Sequence, residues 1–83
     1  MTTITQTANV LITGTQLVKE VLGTVLKAMD AAEAEKNSGA DKKAWVIAFV
    51  ESVINDIGEK WEHWLKMVVS FIDYAKAFYN QFK

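Results

Sequence analysis

The sequence predicts an all-α fold, with three amphipathic helices closing into a small bundle or a long helical hairpin that assembles into oligomers. Three observations predict it. There is no proline in the chain, so nothing rigidly interrupts a helix. Apolar residues recur at steps of three and four, the helical period. Only four glycines punctuate the pattern.

Length and composition set the frame. A chain of 83 residues holds one domain, and a domain of that size buries a modest share of its surface. It has no cysteine to reinforce it by a disulfide or a thiolate metal site. Hydrophobic residues make up 51%, and an interface is the economical destination for the surplus. The formal net charge is −1 and every basic residue is lysine. A nucleic-acid binder carries a basic face, often with arginine, so nucleic acid is not the expected partner. The first basic residue is Lys19, which leaves no charged start for a signal peptide. The longest clean apolar run, residues 44–50, is far too short to cross a bilayer. A cytoplasmic or a membrane-associated location fits both observations.

Residues 1–8 are polar, uncharged and threonine-rich, and are expected as an N-terminal arm rather than a helix. The first helix is expected over about 9–36. Leu11, Val18, Leu22, Val25, Met29 and Ala32 form its stripe, and Val10, Leu17, Val21, Leu26 and Ala28 widen it to roughly 180°. Gly14 and Gly23 weaken this helix. A turn follows, in which Ser38 and Asp41 have the spacing of a capping box. The second helix is expected over about 41–57. Val46, Phe49, Val50, Val53, Ile54 and Ile57 form its stripe, with Trp45 and Ile47 at the margins. That arc of roughly 200° is too wide for one flat contact. Gly58 reads as a helix stop, with a continuous helix through it as the alternative.

The third helix is expected over about 59–82 and has the clearest pattern. Trp61, Leu65, Val68, Ile72, Ala75, Tyr79 and Phe82 alternate steps of four and three, with Trp64, Phe71 and Phe78 beside them at steps of seven. All nine aromatic residues lie after residue 44. Aromatic rings dominate interface energetics and also fill cores, and both readings of this seam are open. As an interface it is made of Trp61, Trp64, Leu65, Val68, Phe71, Ile72, Phe78, Tyr79 and Phe82.

No catalytic, cofactor-binding or metal-binding residue is assigned. Catalysis needs a nucleophile, a base or a metal held in a pocket. The single histidine, His63, falls on the polar face of the third helix, where Glu59 would pair with it. Asp30, Glu33 and Glu35 gather near a helix end without the spacing of a calcium loop. A non-enzymatic protein is expected.

One segment resembles a known family. Asn37-Ser38-Gly39-Ala40-Asp41-Lys42-Lys43-Ala44-Trp45-Val46-Ile47 is similar to the Gly, acidic, Lys-Lys, apolar-Val-Ile segment of LL-H-type phage holins. Phe71-Ile72-Asp73-Tyr74-Ala75 is similar to part of their tail. The resemblance spans roughly residues 30–80 and matches their soluble part. Those holins begin with a membrane-spanning helix that is not present here. The resemblance implies a phage or prophage product that oligomerises, in some cases at the membrane, and implies no catalytic residue.

The expected function is therefore that of a helical assembly or interaction protein. It would self-associate as a homo-oligomer or bind a protein partner. A membrane-active, holin-like lysis factor that meets a membrane surface is one alternative. A small viral inhibitor of a host protein is another. A membrane-surface helix usually has a lysine-rich polar face, and the mixed charges of the third helix favour a protein partner.

Overall fold

Gly14 divides what the apolar periodicity runs together. It adopts a φ of +108°, a conformation that side-chain-bearing residues rarely take, so no helix continues through it. The computed structural model describes residues 3–35 and 39–81, with only the backbone of Gly39 and Ala40. Among these residues the chain is all-helical, with four α-helices: α1 (Ile4–Ala8), α2 (Gln16–Ala34), α3 (Gly39–Asp56) and α4 (Trp61–Asn80). A 3-10 turn, Asn9–Leu11, follows α1 directly.

The threonine-rich start is thus a correction to the expected arm. Thr3 and Gln6 form a reciprocal capping box. The Gln6 N–H donates to Thr3 Oγ1 at 3.0 Å and the Thr3 N–H donates to Gln6 Oε1 at 2.9 Å. The expected first helix, 9–36, is likewise corrected to Gln16–Ala34. Thr15 caps it, accepting the Val18 N–H at 3.3 Å. The expected Ser38 cap lies outside the described residues.

Gly58 settles the other open point of topology. The Gly58 N–H donates to the Asn55 carbonyl at 3.1 Å, and the Glu59 N–H reaches back to Ile54 at 3.0 Å. With Gly58 at φ +82°, these two bonds make a Schellman ending. α3 and α4 are therefore separate helices and the long-hairpin alternative is set aside. α4 starts at Trp61 rather than at residue 59.

α2 and α3 pack as an antiparallel pair. The end of α2 meets the start of α3 through Glu33 and Lys42, 3.3 Å apart. At the other end, Leu17 and Val21 lie across from Val53 and Ile57. α4 closes against this pair, and Lys43 of α3 reaches Asp73 of α4 at 2.8 Å. The core is wholly apolar among the described residues. Val21, Leu22, Val25, Leu26 and Met29 of α2 meet Val46, Val50 and Ile54 of α3 and Trp64, Val68, Phe71 and Ile72 of α4. Burying each such side chain contributes roughly 1.5–3 kcal/mol, which is what holds the helices together.

α1 covers the junction of α2 and α4. Ile4 and Ala8 enter the core. Asp30 of α2 fixes the position from below. Its carboxylate accepts the Ile4 N–H at 2.7 Å, the Thr5 N–H at 3.0 Å and the Thr5 hydroxyl at 2.6 Å. A carboxylate at a helix N-terminus satisfies orphan donors and meets the positive end of the dipole. The radius of gyration, 12.1 Å, is close to the roughly 12 Å expected of a folded chain this long.

Candidate functional site

The apolar arc of α3 is wider than half the helix, yet only part of it is covered. Val46, Val50 and Ile54, at steps of four, form its core row. The adjoining row, also at steps of four, is Trp45, Phe49, Val53 and Ile57. This second row turns out of the core. Trp45 is 40% exposed, Phe49 43% and Ile57 48%. The rings of Trp45 and Phe49 stack on each other, with centroids 5.5 Å apart and planes 17° from parallel. Each ring thereby hides part of one face and leaves the remainder in water. Beside them Ala44, Ala48 and Ser52 are exposed and small, so the surface next to the rings is low.

The row runs into a groove between α3 and α2. Leu17, Glu20, Val21 and Thr24 line one wall and Val53 and Ile57 the other, around a volume of about 150 Å³. Leu17 is also exposed, so the groove and the stacked rings make a continuous apolar strip along the α2–α3 pair.

A second cleft opens on the opposite side, where all four helices meet. Its floor is Ile4, Met29, Ala32, Val46 and Ile72, and its volume is about 90 Å³. Lys42, Lys43, Lys76, Glu33 and Asp73 rim it. The Lys42–Glu33 and Lys43–Asp73 pairs span this rim. The two lysines that carry the holin resemblance are therefore engaged within the chain, tying α3 to α2 and to α4.

The structure splits the aromatic seam of α4 between core and surface. Trp64, Val68, Phe71 and Ile72 are buried inside the molecule. They pack in the core and leave little of themselves at the surface. Trp61, Phe78 and Tyr79 are half-buried against the same core. Leu65 is exposed, and Phe82 lies outside the described residues. Trp45 and Phe49 reach the surface, as Tyr74 of α4 also does; the periodicity places Phe49 in the stripe of the second helix and Trp45 at its margin, but neither among the interface residues.

The titratable groups are distributed differently from expectation. Glu59 does not turn to His63. Its Oε1 accepts the indole N–H of Trp64 at 3.2 Å, which satisfies the one polar atom of that buried ring. His63 is exposed. Asp30 is committed to α1 and Glu33 to Lys42, so the acidic cluster is divided among structural contacts. Among the described residues no group of three His, Cys, Asp or Glu side chains converges as a metal site, and no helix is long and apolar enough to cross a membrane.

No protein-family model, curated protein or solved structure matches the chain.

Proposed function

We propose that this protein is a non-enzymatic interaction module that docks a protein partner on the outer face of α3. The observation that carries the reading is the stacked, half-exposed Trp45–Phe49 pair on a helix whose apolar arc is wider than its covered side. A helix with that pattern is ordinarily covered on both sides. Large aromatic side chains at a surface, surrounded by small residues and joined to an apolar groove, have the composition of a binding hot spot. The resemblance of residues 37–47 to phage holins supports an assembling role.

The test is a solution comparison of the wild-type chain with Phe49→Glu, a variant that keeps the helix and charges the strip. Indole NMR signals are recorded for both as partner peptides or further copies of the chain are added. The reading predicts that Trp45 responds in the wild type and not in the variant, while both remain folded by circular dichroism. A Trp45 signal indifferent to every helical peptide, to concentration and to the substitution would remove the docking role.

A further inference from the structure

Charge is sorted across the two sides of the α2–α3 pair, and the sorting says what kind of partner fits. On the apolar strip the helix positions place Glu20 in the groove wall, Glu35 at the end of the α2 row and Asp56 three residues after Val53, next to Ile57. Against these acids stands Lys27, one turn after Thr24. The lysines of α3 are not on this side. Lys42 and Lys43 line the opposite cleft and are paired there with Glu33 and Asp73. A chain whose net charge is only −1 thus presents an apolar strip with an acidic border.

Geometry limits the shape of the occupant. α2 offers Leu17, Thr24 and Ala31 at steps of seven, while Val21 and Ala28 between them are buried in the core, and α3 offers its outer row alongside. Two parallel helical ridges with a trough between them accept a third helix, whose side chains at positions i, i+4 and i+7 enter the trough. The groove of about 150 Å³ at the Leu17–Ile57 end holds one aliphatic side chain. The exposed edge of the Trp45–Phe49 stack is a platform for a cation as well as for an apolar group, because a ring face attracts ammonium and guanidinium.

We infer that the α2–α3 strip binds a basic amphipathic helix, one with an aliphatic stripe flanked by lysine or arginine. This rests on the docking reading above and gives the partner its chemistry. A second copy of the chain is a poor fit, since facing strips would set acid against acid. An anionic membrane is a poor fit for the same reason, because interfacial helices bring lysine to the headgroups and this face brings carboxylates.

The experiment titrates the full chain with an 18-residue helical peptide of leucine, lysine and arginine whose leucines recur at three and four. A companion peptide has glutamate at every basic position. The Trp45 indole signal reports binding, and vesicles of phosphatidylcholine with phosphatidylglycerol form a third arm. The expected result is saturable binding of the basic peptide that weakens as salt rises. Reversing two borders together, Glu20→Lys with Asp56→Lys, should weaken it tenfold or more. Glu62→Lys, on the exposed face of α4, should leave it within about twofold if only the local border matters, as the decay of exposed charge interactions over a Debye length requires.

Equal binding of both peptides would overturn the basic partner and leave the docking face intact. A Trp45 signal that moves only with protein concentration would assign the strip to a second copy, and one that moves only with vesicles would assign it to lipid; each overturns the inference. Indifference to all arms would overturn the docking reading as well.

Discussion

α3 and α4 are both rich in apolar residues, and they use them differently. α4 concentrates most of its apolar side chains on one face, which closes inside the molecule at Trp64, Val68, Phe71 and Ile72, while Leu65 and Tyr74 stay exposed. α3 spreads its apolar side chains around the cylinder, and one row of them stays outside at Trp45, Phe49 and Ile57. The difference teaches that the strongest stripe in a sequence marks the core of a small bundle, because a single well-formed face is what folding consumes first. A binding surface is announced by what is left over, in an arc too wide for the neighbours available. The covering helix α1 sharpens the contrast. It lies over the α2–α4 junction, fixed by Asp30, while no described element lies over the outer row of α3.

The largest effect that would break the contrast lies at Val68, which is fully buried in α4. Val68→Asp places a carboxylate among apolar side chains with no partner, at a cost of about 4 kcal/mol or more. Loss of the cooperative thermal transition is expected by circular dichroism. Ser52→Asp, on the outer side of α3, should melt within a few degrees of the wild type, as exposed changes stay within about 0.5 kcal/mol.

Asp30→Ala comes next. It withdraws the acceptor of three hydrogen bonds at the start of α1, and about 1–3 kcal/mol of stability should go with it. Hydrogen exchange should quicken across Ile4–Ala8 while the amides of α3 keep their protection. Equal loosening of α3 would show that the two sides of the molecule are not independent.

The glycines give effects of opposite sign at about 1 kcal/mol. Gly58→Ala should destabilise by roughly that amount, since the residue sits at φ +82° in the turn that separates α3 from α4. Gly14→Ala should do at least as much, because its new Cβ would also meet Val18 Cγ1 at 3.1 Å. Gly23, inside α2 with nothing near the added atom, should gain up to about 1 kcal/mol as alanine. Chemical denaturation of the three variants checks the signs. The smallest effect belongs to Lys43→Met. Its pairing with Asp73 is solvent-exposed and should be worth about 0–1 kcal/mol in a denaturation midpoint, with salt erasing it.

Much of the architecture was legible in particular residues. The helical class followed from periodicity, the end of α3 from Gly58, and the burial of Leu22, Val25, Met29 and Ala32 from the α2 stripe. The division at Gly14 was less legible, because Leu11 and Val18 continue the seven-residue spacing across a glycine that the backbone turns at. Thr15 was the available signal, a capping residue directly before the periodic run. α1 was hidden by low helix propensity, although Thr3 and Gln6 carry the spacing of a capping box. Its docking on Asp30 could not be read locally, since the contact joins residues 25 and 26 positions apart. The candidate site was half legible. The wide arc of α3 was visible, but which of its rows would stay uncovered depends on where α2 and α4 pack.

The most direct test of the central contrast is a pair of urea unfolding curves for Phe71→Ala and Phe49→Ala. The two substitutions remove the same ring from α4 and from α3, where the ring is 8% and 43% exposed. The account predicts a loss of about 3–5 kcal/mol for Phe71→Ala and of no more than about 1 kcal/mol for Phe49→Ala, the range of surface changes and of a lost ring stack. Comparable losses for the two would contradict it, by placing Phe49 in the core and leaving the outer row of α3 without surface to offer.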